Sequence, residues 1–366
     1  MSDQTVTIVG NGAGGCAAAA SLADRGAAVV LVGRSASKVD ALAAAGALVL
    51  VEGGEARSVV GITHTTDLSS AAGSEMVLLM VPTSAIVGYA EALAPHLAPD
   101  ATVVLAPGHT GGALAFRAAV RRIRPELASI VIAETFTLPF VTRMTGPAEV
   151  TVWRRMSHLL TGVLPARATT TVVDEVRRVF PDVVAAGSVL ESSLSNLNAI
   201  MHPPGMLANV GWIEHTAGDF RFYREGVTPG VARIMDGLDR ERLAVAEAFG
   251  LRLPPFVELF QSAGLVSAEV AAAQDTYLAV HESGPNLEIR SPASLTDRYV
   301  EEDVGSGLVA LSALAACAGV DVPVTEALVT MANLVNAKDY RQVGLTADLL
   351  GIAGLGRDGL LAAVTG

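Results

Sequence analysis

Near its start the chain reads Thr5-Val-Thr-Ile-Val-Gly10-Asn-Gly-Ala-Gly-Gly15, followed by Cys16 and four alanines. Thr5 to Val9 is a short β-rich run that predicts a strand. The alanines predict a helix through about Arg25. Between them, Gly10, Asn11, Gly12, Ala13, Gly14 and Gly15 form G-x-G-x-x-G in the context that gives this spacing a mechanism. The first glycine permits a tight turn, the second lets a pyrophosphate approach the backbone, and the third lets helix and strand pack closely. The helix N-terminus then offers N–H groups to the phosphates. A second β-rich run, Ala28 to Val32, follows in step. The expectation is a dinucleotide-binding unit, the alternative a glycine-rich turn with no ligand. Cys16 reads as a small packing residue.

The tip of the second strand bears on the choice of coenzyme. An acid about 20 positions beyond the glycines would hold the ribose hydroxyls of NAD. Here Gly33-Arg34-Ser35 occupies that place, and Asp40 comes too late. A guanidinium beside a hydroxyl suits a 2′-phosphate, so NADP(H) is favoured over NAD(H). The alternative is a solvated arginine at a strand end.

Strand and helix signals continue to alternate. Leu48 to Gly53 and Glu55 to Val60 predict a hairpin. Met76 to Val81 is an apolar strand ended by Pro82, with a helix from Ser84 to Leu97 behind it. Thr102 to Leu105 is a strand ended by Pro107-Gly108-His109-Thr-Gly-Gly112, and His109 reads as a turn histidine near solvent. In open parallel sheets ligands bind at the carboxyl ends of strands, which places Val81 and Pro82 beside the coenzyme. Ile130 to Glu134, Val150 to Trp153 and Leu159 to Leu164 are further β runs. A helix from Ala168 to Phe180 and a segment from Val183 to Ala185 close the half. The alternation predicts a doubly wound α/β domain, here 1–187, joined at Gly187-Ser188 to an all-α domain, 188–366.

Composition agrees with two cores. At 366 residues the chain is long for one domain, and with 51% hydrophobic and 17% charged residues it can fill both. A net charge of -12 argues against a nucleic-acid partner, because phosphate binding is driven by Lys and Arg. The lysines are Lys38 and Lys338 alone. Cys16 and Cys317 are far apart and outside metal-ligand spacing, so neither disulfide nor metal is expected and a cytoplasmic setting is the default. Acidic Asp3 is unlike the start of a signal peptide. The apolar run from Gly305 to Val320 is too short for a membrane span, so no membrane partner is expected. A homodimer is compatible with the sequence, which does not fix the oligomeric state.

In the second half helical periods take over. Leu190, Leu194, Leu197 and Met201 recur at three- and four-residue steps and predict one helix with a buried stripe. Asn198 and His202 share a face of it. Pro203 and Pro204 remove two backbone donors, so the helix should end or kink there and resume from Pro204 to about Thr216. An imidazole at such a break should face a cleft; the plain alternative is a capping or core histidine. Tyr223 to Pro229 reads as a turn, with Thr228 as N-cap and Pro229 at the first helical position. The helix from there should carry Asp236, Asp239, Arg240, Glu241 and Arg242 on its wet side. Later helices are expected over Leu308 to Ala318 and Val324 to Asn336. Between Leu295 and Gly307 lies a charged loop holding Arg298 and Asp303. Charge runs are usually solvated. The flanking Tyr299, Val300 and Val304 suggest instead a partly buried Arg able to clamp a carboxylate and an Asp able to orient a histidine.

Three motifs of this half, N-x-x-x-H-P (Asn198 to Pro203), Y-x-E-G-x-T-P (Tyr223 to Pro229) and R-Y-x-x-E-D-V-x-x-G-L (Arg298 to Leu308), occur with P-G-x-T-G-G-A at Pro107 to Ala113. Together they resemble the opine dehydrogenase family: the octopine, nopaline and N-(1-carboxyethyl)-amino-acid dehydrogenases. The resemblance covers nearly the whole chain. It implies an N-terminal Rossmann domain and a helical domain with a cleft between them. It also implies reductive condensation of an α-amino acid with a 2-oxo acid, using NADH or NADPH. By the residue match His202 is the catalytic histidine, Asp303 its carboxylate partner and Arg298 the clamp on a substrate carboxylate. Some relatives are expected to carry an acid where this chain has Arg34.

Those roles suit the chemistry. Condensing an amine with a ketone and reducing the imine needs an acid for the departing oxygen and a fixed carboxylate. Histidine can serve first as base and then as acid. The stretch from 135 to 143 is a candidate lining for the amino donor, and Phe136, Leu138 and Phe140 hint at an apolar donor side chain. Two rival readings remain. Reductases related to ketopantoate reductase and glycerol-3-phosphate dehydrogenase rely on a lysine in the helical domain, where this chain has only Lys338. A non-catalytic NADP(H) sensor predicts that His202, Arg298 and Asp303 do not converge.

Overall fold

The computed structural model describes residues 5–366, so Asp3 lies outside the described residues. Two compact units share the chain: one is built from residues up to Gly108, Gly112–Val189 and Thr365–Gly366, the other from His109–Gly111 and Leu190–Val364.

In the α/β unit, β1 (Thr5–Val9), α1 (Ala13–Ala23) and β2 (Ala28–Val32) form where the sequence predicts them. α2 (Ala36–Ala45) leads to β3 (Leu48–Glu52) and β4 (Glu55–Val59), the expected hairpin, and then to β5 (Ile62–Thr65). β6 (Met76–Leu79), α3 (Ile86–Leu93), β7 (Thr102–Leu105), α4 (Gly112–Ile123) and β8 (Val131–Thr135) follow. β9 (Phe140–Gly146), β10 (Glu149–Arg155), β11 (Leu159–Leu164), α5 (Thr169–Val179) and β12 (Val183–Ala185) complete the unit.

An eight-stranded sheet runs β12-β11-β8-β7-β6-β1-β2-β5, and a four-stranded sheet runs β4-β3-β10-β9. β1 pairs in parallel with both β2 and β6, so the glycine turn leaves an interior strand of the large sheet. The central strands β6 and β7 are buried throughout, as the continuous apolar runs require. The sequence reading overlooked β5. Ile62-Thr-His-Thr65 is a half-exposed edge strand whose single bulky apolar residue gives no run to detect. The stretch 135–143 also differs from expectation. Phe140 starts β9 and packs edge-on against Phe180 at 5.7 Å, and Phe136 is likewise buried. Both rings serve the α/β core, so they are not free to line a donor pocket.

In the helical unit, α6 (Val189–Ser193), α7 (Leu197–Leu207), α8 (Val210–Thr216), a π-helical turn (Phe222–Gly226) and α9 (Pro229–Ala248) come first. α10 (Phe256–Ser262), α11 (Ala268–Ala272), α12 (Thr276–His281), α13 (Arg298–Glu302) and a π-helical segment (Asp303–Leu308) follow. The unit ends with α14 (Val309–Ala318), α15 (Pro323–Val335), α16 (Tyr340–Val343), α17 (Ala347–Leu350) and α18 (Arg357–Thr365). Thr228 caps α9 through Val231 N, as predicted. Among the described residues no helix is long and apolar enough to cross a membrane.

Three expectations for this unit are corrected. Leu190, Leu194, Leu197 and Met201 are all buried, yet they do not share one helix: Leu190 lies in α6, Leu194 in the turn after it, and Leu197 and Met201 in α7, which begins anew where the Asn196 side chain accepts from Asn198 N. α7 then runs straight through Pro203 and Pro204 instead of ending at them. The missing donors release the Ala199 and Ile200 carbonyls, but ten of the eleven residues are buried, and packing outweighs propensity there. On α9, Asp239, Glu241 and Arg242 are buried, not wet. Asp239 pairs with Arg242 at 2.7 Å and accepts from Phe256 N at 2.8 Å, while Arg242 donates to the Leu194 and Pro254 carbonyls. Glu241 accepts from Val324 N, Thr325 N and Thr325 Oγ1, satisfying the first turn of α15.

Candidate active site

α7 delivers His202 and the start of the second π-helical segment delivers Asp303. A side chain at Gly307 would bring a Cβ to 3.0 Å from the Ala199 Cβ, so glycine there lets the segment lie close against α7. His202 Nδ1 and Asp303 Oδ2 are then 2.6 Å apart, and both side chains are about 4% exposed. On the other side of the ring, Nε2 lies 3.0 Å from the Tyr223 hydroxyl. An acceptor-only carboxylate at Nδ1 suits an Nδ1–H donated to Asp303, which leaves Nε2 facing the Tyr223 hydroxyl. The Tyr299 ring stacks on the imidazole with centroids 3.6 Å apart and planes 5° from parallel, while Phe222 meets it edge-on. His202 is thus enclosed, where the sequence suggested a cleft-facing ring. Burial pushes the Tyr223 phenol well up, with Tyr299 and Asp303 adding to the shift and the Arg298 guanidinium opposing it. Burial likewise raises Tyr299, against the Tyr223 hydroxyl and Arg298.

Arg298 is the first residue of α13, capped by Asp297 through Tyr299 N. The expected charged loop is therefore helical. Arg298 is exposed rather than partly buried, because it sits on the outer side of that first turn while Val300 points inward. It makes no ion pair with any described residue, yet its charge reaches Tyr223 and Tyr299. Asn198 is half-buried, one turn before His202, and its side chain has no hydrogen-bond partner among the described residues. The structure therefore gathers His202, Asp303, Tyr223 and Tyr299 in direct contact, with Arg298 adjoining them. Tyr223 was missed because Y-x-E-G-x-T-P reads as turn chemistry; a tyrosine in that stretch was the available signal.

His109, expected near solvent, is 4% exposed, with a left-handed φ of 53° and Nδ1 at 3.6 Å from Glu302 Oε1. It belongs with the helical unit, whose segment His109–Gly111 also receives Asn196 Nδ2 on Thr110 Oγ1 and donates Gly111 N to Ser193 Oγ. Lys338 is tied to Glu301 and lies 4.9 Å above the Tyr340 ring, a structural placement.

In the α/β unit the glycine loop fits a dinucleotide. A Cβ on Gly10 would lie 2.3 Å from Met80 O and 3.0 Å from Val81 Cγ1, and one on Gly15 would lie 1.7 Å from Gly10 O. Gly12 precedes Ala13 and Gly14 at the start of α1, has nothing within 4 Å of its Cβ position, and leaves the helix without a side-chain cap. By contrast the N-terminus of α4 is already served by Glu134, which accepts from Ala113 N at 2.7 Å. Asn11 Nδ2 is buried without a partner and sits where a side chain on Gly33 would be. An open helix end, backbone-only contacts and an orphan donor are what a bound diphosphate and ribose would use. Arg34 is exposed beside a cavity of about 410 Å³ lined by Gly33, Thr66, Leu68, Ser84 and Tyr89. Ser35 is the cap of α2, accepting from Lys38 N, and Pro82 is exposed just past β6. Burial raises the Cys16 thiol to about 11, in keeping with a packing role.

Comparison with known proteins adds to this geometry. Residues 185–336 match the family described as NAD/NADP octopine/nopaline dehydrogenase, alpha-helical domain. Residues 6–152 match the ketopantoate reductase family. A protein of Arthrobacter sp. (strain 1C) named opine dehydrogenase is 32% identical over 371 residues, covering 100% of this chain and 99% of its own. Vitopine synthase of Allorhizobium ampelinum (strain ATCC BAA-846 / DSM 112012 / S4) is 26% identical, covering 77% and 75%. Octopine dehydrogenase solved with NADH and L-arginine superposes with a TM-score of 0.81 at 21% identity, over 98% of each chain. Yersinopine dehydrogenase with NADP+ bound gives 0.76 at 16% identity, covering 99% and 98%.

Proposed function

Since the chain belongs to the opine dehydrogenase family, and is thus an NAD(P)-dependent oxidoreductase acting on CH–NH bonds, we propose that it joins the amine of an α-amino acid to a 2-oxo acid through an imine, reversibly. In this reading His202 and Asp303 form the acid–base pair, Arg298 clamps a substrate carboxylate, and Asn198 contacts substrate. The observation that carries it is the 2.6 Å contact between His202 Nδ1 and Asp303 Oδ2, two residues 101 apart in sequence, with the Arg298 charge acting on the neighbouring Tyr223 and Tyr299. A buried pair of this kind supports the catalytic reading over a solvated charge run.

Asp303 holds the imidazole in one tautomer and stabilises it when protonated. His202 first takes a proton from the incoming ammonium, freeing the amine lone pair to attack the oxo carbon. It then returns a proton as the resulting hydroxyl leaves as water, and such acid–base help is worth roughly 10² to 10⁴ in rate. Arg298 fixes the carboxylate through a forked, charge-assisted contact, so the imine carbon is held in one orientation. Gly10, Asn11, Gly12, Ala13, Gly14 and Gly15, with Val81 and Pro82, would hold the coenzyme, and when bound it supplies the hydride that reduces the imine carbon. Arg34 and Ser35 favour NADPH over NADH.

A screen of NADPH oxidation with amino acids against pyruvate, glyoxylate and 2-oxoglutarate tests the reading. The expected result is consumption that requires both an amine and an oxo acid. Oxidation by an oxo acid alone would return the ketopantoate-type alternative. His202→Ala or Asp303→Ala should lower turnover by roughly 10² or more while leaving NADPH affinity nearly unchanged. A parallel fall in coenzyme binding would make these residues structural.

A further inference from the structure

His202 has no free nitrogen. Asp303 occupies Nδ1 at 2.6 Å, the Tyr223 hydroxyl occupies Nε2 at 3.0 Å, Tyr299 covers a face, and the residue is 3% exposed. An acid–base group so enclosed exchanges protons through a neighbour. Asp303 is equally buried and is committed to the Nδ1 side. Tyr223 is as buried, at 3% exposed, but its phenol oxygen both donates and accepts, so it can pass on a proton where a carboxylate committed to Nδ1 cannot. We propose that Tyr223 relays the proton between His202 Nε2 and the reacting oxygen and nitrogen of the substrates. This rests on the reading of His202 as the acid–base residue and deepens it.

The fold holds Tyr223 for that task. The π-helical turn that carries it is fastened to α7 through Asn209, whose Nδ2 donates to the Gly205 carbonyl at 2.8 Å and to the Gly226 carbonyl at 2.9 Å. The register of Tyr223 against His202 is therefore set by backbone on both sides. The phenol lies within the field of Arg298, the residue proposed to hold the substrate carboxylate, and beside half-exposed Tyr299. Burial keeps it protonated at neutral pH, ready to donate.

The step balances. As the C–O bond of the carbinolamine breaks, its electron pair goes to the oxygen, which takes the Tyr223 hydroxyl proton and departs as water. The nitrogen lone pair forms the C=N bond. Tyr223 oxygen recovers a proton from His202 Nε2, and the imidazole returns to neutral beside Asp303. In the preceding step the same two transfers run in reverse, from the ammonium through Tyr223 to His202. The titratable and charged groups facing Tyr223 are His202 from α7, Arg298 and Tyr299 from α13, and Asp303 from the segment after it.

Tyr223→Phe keeps the ring and removes only the hydroxyl. The expected result is a kcat lowered about 100-fold, with KM for both substrates and the Kd for NADPH changed less than threefold. Replacing Tyr223 by the isosteric 3,5-difluorotyrosine, a more acidic phenol, should move the alkaline limb of the pH–kcat profile to lower pH. It also tests the idea should the Phe variant fail to fold. A His202→Gln enzyme is measured alongside. If His202→Gln is inactive while Tyr223→Phe keeps kcat within twofold and difluorotyrosine leaves the profile in place, the relay is wrong and the acid–base reading stands. If His202→Gln retains activity, the acid–base reading falls and the relay with it.

Discussion

Arg34 and Arg298 are two exposed guanidiniums that pair with no carboxylate among the described residues, and each is proposed to meet an anion. A charge-assisted hydrogen bond contributes roughly 1.5 to 3 kcal/mol, or about 10- to 100-fold in affinity. Arg34→Ala should weaken NADPH by that factor and NADH much less, as read by fluorescence titration; equal losses would remove the argument for NADPH. Arg298→Ala should lower kcat/KM for the 2-oxo acid by a similar factor and leave coenzyme binding in place. At this scale the sequence was informative where chemistry and spacing coincide. The imidazole, carboxylate and guanidinium could be singled out from residue type and resemblance, and the glycine loop from its spacing after β1. What could not be read was enclosure. Asp239, Glu241 and Arg242 look wet because charges usually are, and the partners they meet on distant segments, Phe256, Thr325 and Leu194, leave no trace in the local pattern.

Elements carry the second set of predictions. Arg242 ties α9 to the Leu194 and Pro254 carbonyls and pairs with buried Asp239, so Arg242→Ala leaves a buried carboxylate uncompensated. It should cost about 3 to 5 kcal/mol in denaturant unfolding, whereas a small loss would mean that water enters the site. In the four-stranded sheet, Arg155 on β10 donates to Glu52 on β3 at 2.5 Å and to Ser21 on α1 at 3.0 Å. The hydrogen bond from Arg155 holds the Glu52 carboxyl below its usual range, with burial opposing and the charges of Arg155 and Arg57 assisting. A depressed carboxyl stabilises the fold above the unfolded glutamate pKa, and the benefit disappears as pH falls through the folded value. Glu52→Gln should therefore lower the melting temperature at pH 7, and its deficit should shrink on acidification below about pH 4. A deficit independent of pH would point to lost packing. Strands and capped helices were the legible elements, since β1, β2, β7 and the start of α9 follow local rules. The passage of α7 through Pro203-Pro204 was not, because local rules predict a break and burial overrides it.

For the molecule as a whole, the net charge is -12, whereas the proposed substrates and coenzyme are themselves anionic. Screening lengths shrink from about 30 Å at 0.01 M salt to about 8 Å at 0.15 M. The NADPH association rate should accordingly rise with salt over that range in stopped-flow measurements. A fall would show that the field of Arg34 and its neighbours outweighs the global charge. The alternation of strand and helix followed by helix alone made the two-part architecture readable, but the return of His109–Gly111 to the helical unit was not, for a three-residue excursion leaves no periodic trace. That detour limits how such a chain can be rearranged. A single recombination crossover after Val189 would donate a helical half stripped of the partners that Ser193, Asn196 and Glu302 find at Gly111, Thr110 and His109. Exchanging coenzyme preference by swapping modules between paralogues therefore calls for two junctions, and a graft that ignores the short insert would inherit an unfinished interior.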